Sequence, residues 1–256
     1  MIHPAAIIDV RAKLAPDVQV GAYSIIGPKV EIGAGTWIGP HVVIQGPCKI
    51  GQHNRIFQFA SVGEMPQDLK YHGEDSVLEI GDHNTIREFA TLQRGTQAGG
   101  NITQIGHHNL LMNYTHVAHD CIVGNHTIFS NNASLAGHVV IEDHVILGGF
   151  AGVAQFLRVG AHSFVCTNTV VNKDVLPYTL VSGYYASPFG LNTVGLRRRG
   201  FSEETLEHLN KAYKIIYRQG LTVEQAVAEL QAQFTGVPEV QAMIQVVLSS
   251  KHGIVR

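Results

Sequence analysis

Imidazoles carry most of the chemistry this sequence could perform. The string His116-Val117-Ala118-His119-Asp120 and the shorter Ala136-Gly137-His138 gather three of the fifteen histidines close together in the chain. A neutral imidazole has the basicity to take a proton from a hydroxyl near neutral pH, so His119 is a candidate general base. His116, His119 and His138 are also a candidate zinc set, because an open catalytic zinc takes three protein ligands. Two charged groups lie outside these strings. Asp68 and Lys70 form a short polar string, and Arg197, Arg198 and Arg199 concentrate positive charge that would suit a phosphate or an acidic partner. An arginine run is otherwise a solvated face.

The elements that must hold these residues are set by a six-residue apolar period. From Ile8 it runs through Leu14, Val20, Ile26, Ile32, Ile38, Ile44, Ile50 and Ile56 to Val62. A second series runs Ile105, Leu111, Val117, Val123, Phe129, Leu135, Ile141, Leu147, Val153, Val159, Val165 and Val171. Neither a helix nor an ordinary strand has this period; it is the hexapeptide repeat of a parallel β-helix. One unit cannot bury its apolar residue alone, so successive units must stack around a shared core.

The phase breaks at Asp68 and Glu74, which predicts a loop over residues 64–76 leaving the solenoid. It returns at Ile80, Ile86 and Leu92 and slips by one before Ile105, which predicts a second excursion over 94–103. After Val171 the pattern fades, and from Ser202 the spacing turns helical. Ser202 is a candidate N-cap, Gly220 closes that helix, Thr222 with Gln225 forms a capping box, and a third helix begins near Pro238 and ends by Gly253. The expected organisation is a β-helix over residues 1–185 followed by a helical domain over 186–256.

Over 256 residues, 45% hydrophobic and 15% charged, a net charge of −2 excludes a generally basic nucleic-acid binder. No run of 18 apolar residues and no cationic leader occurs, so neither membrane insertion nor export is expected, and the reading is cytoplasmic. Cys48, Cys121 and Cys166 contain no C-x-x-C pair and suggest neither disulfides nor a zinc knuckle.

The hexapeptide body, Gln67-Asp68-Leu69-Lys70-Tyr71, the two histidine strings and Leu196-Arg197-Arg198-Arg199-Gly200-Phe201 resemble the UDP-N-acetylglucosamine O-acyltransferases that start lipid A synthesis in Gram-negative bacteria. The resemblance covers essentially the whole chain. It implies an all-β left-handed parallel β-helix with three hexads per coil, a C-terminal α-helical domain, and a homotrimer with active sites between subunits. The implied reaction moves an (R)-3-hydroxyacyl chain from acyl carrier protein to the 3-hydroxyl of UDP-N-acetylglucosamine. No cofactor or metal is implied beyond the carrier's phosphopantetheine arm.

Eighteen residues per coil would stack His119, Gly137 and Gln155 in one column. The same spacing would stack His108, His126, His144 and His162 in a second, expected to be an outward, solvated row. By resemblance His119 is the base, Asp120 orients it, and Gly137 supplies a backbone N–H to the developing oxyanion. His116, His138 and Gln155 are implied as substrate ligands, with Gln67, Asp68 and Lys70 at the sugar. Asn192, Arg198 and Arg199 are implied at the nucleotide end, and Arg158 with the arginine cluster is a candidate docking site for the acidic carrier. Phe164 and Thr167, with Cys166 between them, fall in the region implied to limit acyl length, and a medium-length chain is expected.

Four positions depart from the family's pattern: Gln93, Ala154, Tyr185 and Val194. They leave open a divergent copy acting on another nucleotide sugar, such as the 3-amino analogue. A hexapeptide carbonic anhydrase using His116, His119 and His138, and a bare β-helical scaffold, are the readings from other classes. The first leaves unexplained why Asp120 adjoins His119 and why Arg197, Arg198 and Arg199 cluster, and the second leaves the loops over 64–76 and 94–103 idle.

Overall fold

A computed structural model describes all 256 residues. Its 27 short strands fall into three sheets of nine, eight and ten strands, parallel except for the last pair of the third, that form the sides of a left-handed β-helix. The first face carries His116–Val117, Ser134–Leu135 and Gly152–Val153; the second carries Ile122–Val123, Val140–Ile141 and Arg158–Val159. The third carries Leu110–Leu111, Ile128–Phe129, Ile146–Leu147 and Phe164–Val165. His116 pairs with Ser134 and Ser134 with Gly152, so one coil is eighteen residues.

Each two-residue strand turns one aliphatic side chain inward and its neighbour outward. The inward residues of both hexad series, from Val20 onward, form one core, and Leu111, Phe129 and Leu147 are wholly buried in it. Burying such a side chain stabilises the fold by roughly 1.5–3 kcal/mol. At the corners the chain passes through the left-handed backbone region, which disfavours most residues but admits Asn, Asp and His more readily. Eight of the fifteen histidines, among them His108, His126, His138, His144 and His162, have positive φ at corners. Corner geometry therefore accounts for much of the histidine content.

Both excursions leave the first-face side of the solenoid. Thr91 pairs directly with Ser61, with a loop over residues 65–76 between the two coils, and His116 pairs with Thr91 across a loop over 94–101 that holds one 3-10 turn, Gln97–Gly99.

At the other end, strands Thr179–Ser182 and Ser187–Leu191 form an antiparallel hairpin on the third face. The hairpin's second strand runs past residue 185. Four helices follow: α1 Thr193–Arg198, α2 Glu203–Arg218, α3 Val223–Gln233 and α4 Pro238–Ser249. The caps are those expected: Ser202 accepts from the Thr205 N–H, Thr222 and Gln225 close a capping box, and Pro238 opens α4. Helix α1 was not expected. Leu206, Leu209, Leu230 and Met243 build a second core that also takes in Leu176 and Tyr178 of the last coil.

Candidate active site

The corner between the first and second faces brings the catalytic candidates together. His119, Gly137 and Gln155 occupy one position of successive coils and Asp120, His138 and Phe156 the next, as the bonds from His138 N–H to His119 O and from Phe156 N–H to Gly137 O record. The Asp120 side chain is fully buried and His119 is 13% exposed. Nδ1 of His119 lies 2.7 Å from Oδ2 of Asp120. That bond fixes the ring proton on Nδ1, where it is donated to the carboxylate, and leaves Nε2 with its lone pair free to act as a base.

The carboxylate is held from a second side. The Thr96 N–H donates to Oδ1 at 2.7 Å and the Thr96 hydroxyl to Oδ2 at 2.6 Å. Asp120's own N–H donates to the Thr103 hydroxyl at 2.7 Å. Neither threonine was singled out from the sequence: Thr96 reaches Asp120 from the 94–101 excursion, whose path local spacing does not encode, whereas Thr103 lies one coil away in the strand Ile102–Ile105.

Gly137 lies beneath the imidazole. A Cβ there would stand 2.6 Å from Cε1 and 2.8 Å from Nε2 of His119, so only glycine fits without displacing the ring. The Gly137 N–H donates to no group of the protein. A free backbone donor beside the base's open nitrogen is the arrangement an oxyanion requires.

The other two histidines complete the corner. His138 stands edge-on to His119 with centroids 5.2 Å apart, and its Nε2 is 3.5 Å from Asp120 Oδ2. Its opposite face stacks on Phe156 at 4.4 Å. His116 Nδ1 is 2.7 Å from the Thr91 hydroxyl. Burial lowers the proton affinity of both rings, with nearby Asp120 opposing it at His138 and His119 adding to it at His116. Both rings flank His119, each with its charged form disfavoured. Within one chain the groups that converge tightly enough to share an ion are His119, Asp120 and His138, and His116 is not among them.

Two open spaces adjoin this corner. One, about 540 Å³, is lined by Asp68, Lys70, Glu74, Thr96 and Gln97. Lys70 is exposed and makes no ion pair, while Asp68 accepts from the Lys70 N–H at 3.0 Å. The exposed Gln67 donates its N–H to Gln93 Oε1 at 3.2 Å. The second, about 410 Å³, runs over the first face past His116, Ser134, Ala136, Gly152 and Ala154. A larger concavity of about 890 Å³ follows the second face, but it shares no residue with this corner, and Lys13–Glu31 and Lys49–Glu79 are already paired there.

The remaining candidates lie elsewhere on the chain. Asn192 caps α1, accepting from the Gly195 N–H and donating to His162 O, so its buried amide is already committed. Arg199 donates to His144 O at 3.1 Å, Arg197 pairs with Glu203 at 2.8 Å, and Arg198 is exposed. These groups sit by the corner between the second and third faces. Phe164 lies on the third face, and Thr167 is exposed at its junction with the first.

The stacked histidine row is real but is not uniformly solvated. Centroids from His108 to His162 are 4.6–4.9 Å apart, and His108 and His126 are exposed. His144 and His162 are half-buried, with Arg199 against them and Phe201 edge-on to His162. Burial, with His144 and Arg199 nearby, pushes the His162 ring down to about 4.

Comparison with known proteins decides what this corner belongs to. The family described as UDP-N-acetylglucosamine O-acyltransferase, domain 2, matches residues 174–255, and the bacterial transferase hexapeptide family matches 29–64 and 102–137. An acyl-[acyl-carrier-protein]–UDP-N-acetylglucosamine O-acyltransferase of Thiobacillus denitrificans is 52% identical over 100% of this chain and 99% of its own length. One from Ectopseudomonas mendocina is 54% identical with the same coverage. This chain belongs to the UDP-N-acetylglucosamine O-acyltransferases. Solved structures agree: the Acinetobacter baumannii protein superposes with a TM-score of 0.97 at 52% identity, covering 100% of this chain and 99% of that one. The Arabidopsis UDP-N-acetylglucosamine acyltransferase does so with a TM-score of 0.90 at 35% identity, covering 100% of each.

Within this acyltransferase the positions that depart from the family's pattern have distinct settings. Gln93 is buried and fastens the first loop through Gln67. Ala154 lines the groove over the first face. Tyr185 and Val194 are exposed, Val194 in the first turn of α1. No helix is long and apolar enough to cross a membrane.

Proposed function

We propose that this acyltransferase moves a 3-hydroxyacyl chain from acyl carrier protein to the 3-hydroxyl of UDP-N-acetylglucosamine, the first step of lipid A synthesis. The observation that carries the mechanism is a His119 ring pinned through Nδ1 by Asp120, with its open Nε2 beside the uncommitted N–H of Gly137. The acceptor hydroxyl attacks the thioester carbonyl while its proton passes to His119 Nε2. The oxyanion is met by the Gly137 N–H, and one donor of this kind typically contributes about 3–4 kcal/mol. Collapse breaks the C–S bond, and the imidazolium returns its proton to the departing pantetheine thiolate. No cofactor beyond the carrier's arm enters this scheme.

Asp68 and Lys70 line the 540 Å³ space and supply an anionic and a cationic group for the sugar nucleotide, with Gln67 next to Asp68 in the chain, while His116, His138 and Gln155 are assigned to the reacting end around His119. Asn192, Arg198, Arg199, Phe164 and Thr167 lie on other corners and faces of the same chain, so they can serve this site only from a second copy. The three faces favour such an assembly. The second is a ladder of paired charges, the third presents Leu110, Ile128, Ile146 and Phe164 outward, and the first presents the small or polar Thr91, His116, Ser134 and Gly152. Packing the third face of one subunit on the first face of the next gives a closed homotrimer and brings a partner's Phe164 and Thr167 towards the groove as a chain-length stop. A soluble carrier protein and a nucleotide sugar as substrates favour a cytoplasmic reaction.

Incubation with UDP-N-acetylglucosamine and a panel of 3-hydroxyacyl-carrier thioesters, read by mass spectrometry, tests the proposal. A product with one preferred chain length supports the reaction and the stop. Product only with the 3-amino sugar nucleotide would overturn the acceptor assignment.

A further inference from the structure

Asp120 presents a fully buried carboxylate, and such a group needs its lone pairs satisfied in a fixed arrangement. One residue outside the histidine strings does most of this. Thr96 donates its N–H to one oxygen and its hydroxyl to the other, gripping both ends of the carboxylate. It is 3% exposed, and its carbonyl accepts from the N–H groups of Gly99 and Asn101, which closes the loop on itself. Gly99 packs so closely on the carboxylate that a Cβ there would overlap Asp120 Cγ. The loop is tied in turn to the substrate loop, since Glu74 accepts from the N–H groups of Gln97 and His72.

The bond that matters most is the hydroxyl's. It reaches Oδ2, the same oxygen that holds His119 Nδ1 and that the titratable His138 ring approaches through Nε2 at 3.5 Å. A donor on that oxygen draws charge from it and weakens its hold on an imidazolium, while leaving its grip on the neutral ring's N–H. We propose that Thr96 is a positioning residue for acyl transfer, which fixes the plane of the Asp120 carboxylate and moderates how strongly that carboxylate retains the proton His119 takes from the acceptor. This rests on His119 being the base.

The test is the pH dependence of kcat/KM for the intact enzyme, its Thr96→Val variant and its Thr96→Ser variant, each checked for an unchanged melting temperature. Valine keeps the shape and the N–H but removes the hydroxyl. The acid limb of the Thr96→Val profile should move up by roughly one pH unit. Its kcat/KM would then fall about tenfold further below the parent's on that limb than on the plateau, with Thr96→Ser restoring the parent profile. A limb that stays in place in Thr96→Val, at whatever rate, reduces Thr96 to a structural residue and overturns the proposal, as does a Thr96→Ser variant that behaves like valine. If Thr96→Val does not fold, Thr96→Ala is read by the same criteria. A parent enzyme with no acid limb would instead remove His119 as the base, and the Thr96 proposal with it.

Discussion

Replacing Gly137 with alanine places a single methyl group against the base. The new Cβ would stand 2.6 Å from Cε1 and 2.8 Å from Nε2 of His119, where ordinary contact begins at 3.4 Å. The ring has to retreat by about 1 Å or turn, and Nδ1 is held at 2.7 Å by a carboxylate that is itself fully buried and pinned by Thr96. Either motion stretches the orienting bond and carries Nε2 away from the acceptor hydroxyl. A misplacement of about 1 Å typically costs on the order of 100-fold in rate. The backbone N–H survives the substitution and φ at Gly137 is not in the left-handed region, so the fold has little reason to suffer. The expected outcome is a kcat reduced about 100-fold, with KM for the sugar nucleotide and the melting temperature close to the parent's. Steady-state kinetics with a 3-hydroxyacyl-carrier thioester and a thermal melt read both quantities. A Gly137→Ala enzyme within threefold of parent kcat would refute the idea that the ring's position above this glycine matters.

Other outcomes follow from the same geometry. Lys70→Gln removes an unpaired exposed cation from the space beside the dyad, and KM for the sugar nucleotide should rise about tenfold, one charge-assisted hydrogen bond, with kcat near the parent's; an unchanged KM removes Lys70 from the site. Leu147→Ala should cost about 2–5 kcal/mol in urea unfolding, because the side chain is wholly buried within the stacked core. The folded His162 ring stays neutral down to about 4, whereas unfolded histidine takes a proton near 6.5, so between these values the unfolded state binds more protons. Its contribution is present in full above pH 6.5 and is lost as pH falls towards 4, at most about 3 kcal/mol and less where water screens the half-buried ring. Melting temperatures at pH 7.5 and 4.5 should show that drop, and His162→Asn should reduce it; an equal drop in both would contradict the assignment to His162.

The solenoid was legible because its apolar period has no other use: each core residue from Ile26 to Val171 is fixed by its hexad, and both loops appear as breaks in phase. Helices α2 to α4 were legible through Ser202, Thr222 and Pro238. Helix α1 was not, since Asn192 reads by resemblance as a ligand, and only the folded hairpin shows its amide bonded to His162 and Gly195. The dyad was visible as adjacent letters, but its support was not. Thr96 is 24 residues from Asp120, on a loop whose path depends on where the next coil resumes. The half-burial of His162 likewise depends on Phe201 folding back from the segment between α1 and α2.

The proposed base is Nε2 of His119, which, oriented by Asp120, takes the acceptor's proton. Its most direct test is single-turnover transfer by the His119→Ala enzyme, with oligomeric state and melting temperature measured on the same sample. A folded assembly equivalent to the parent's, with transfer reduced at least about 1,000-fold, is the predicted result. Turnover above a few per cent of the parent's in that folded assembly would contradict it.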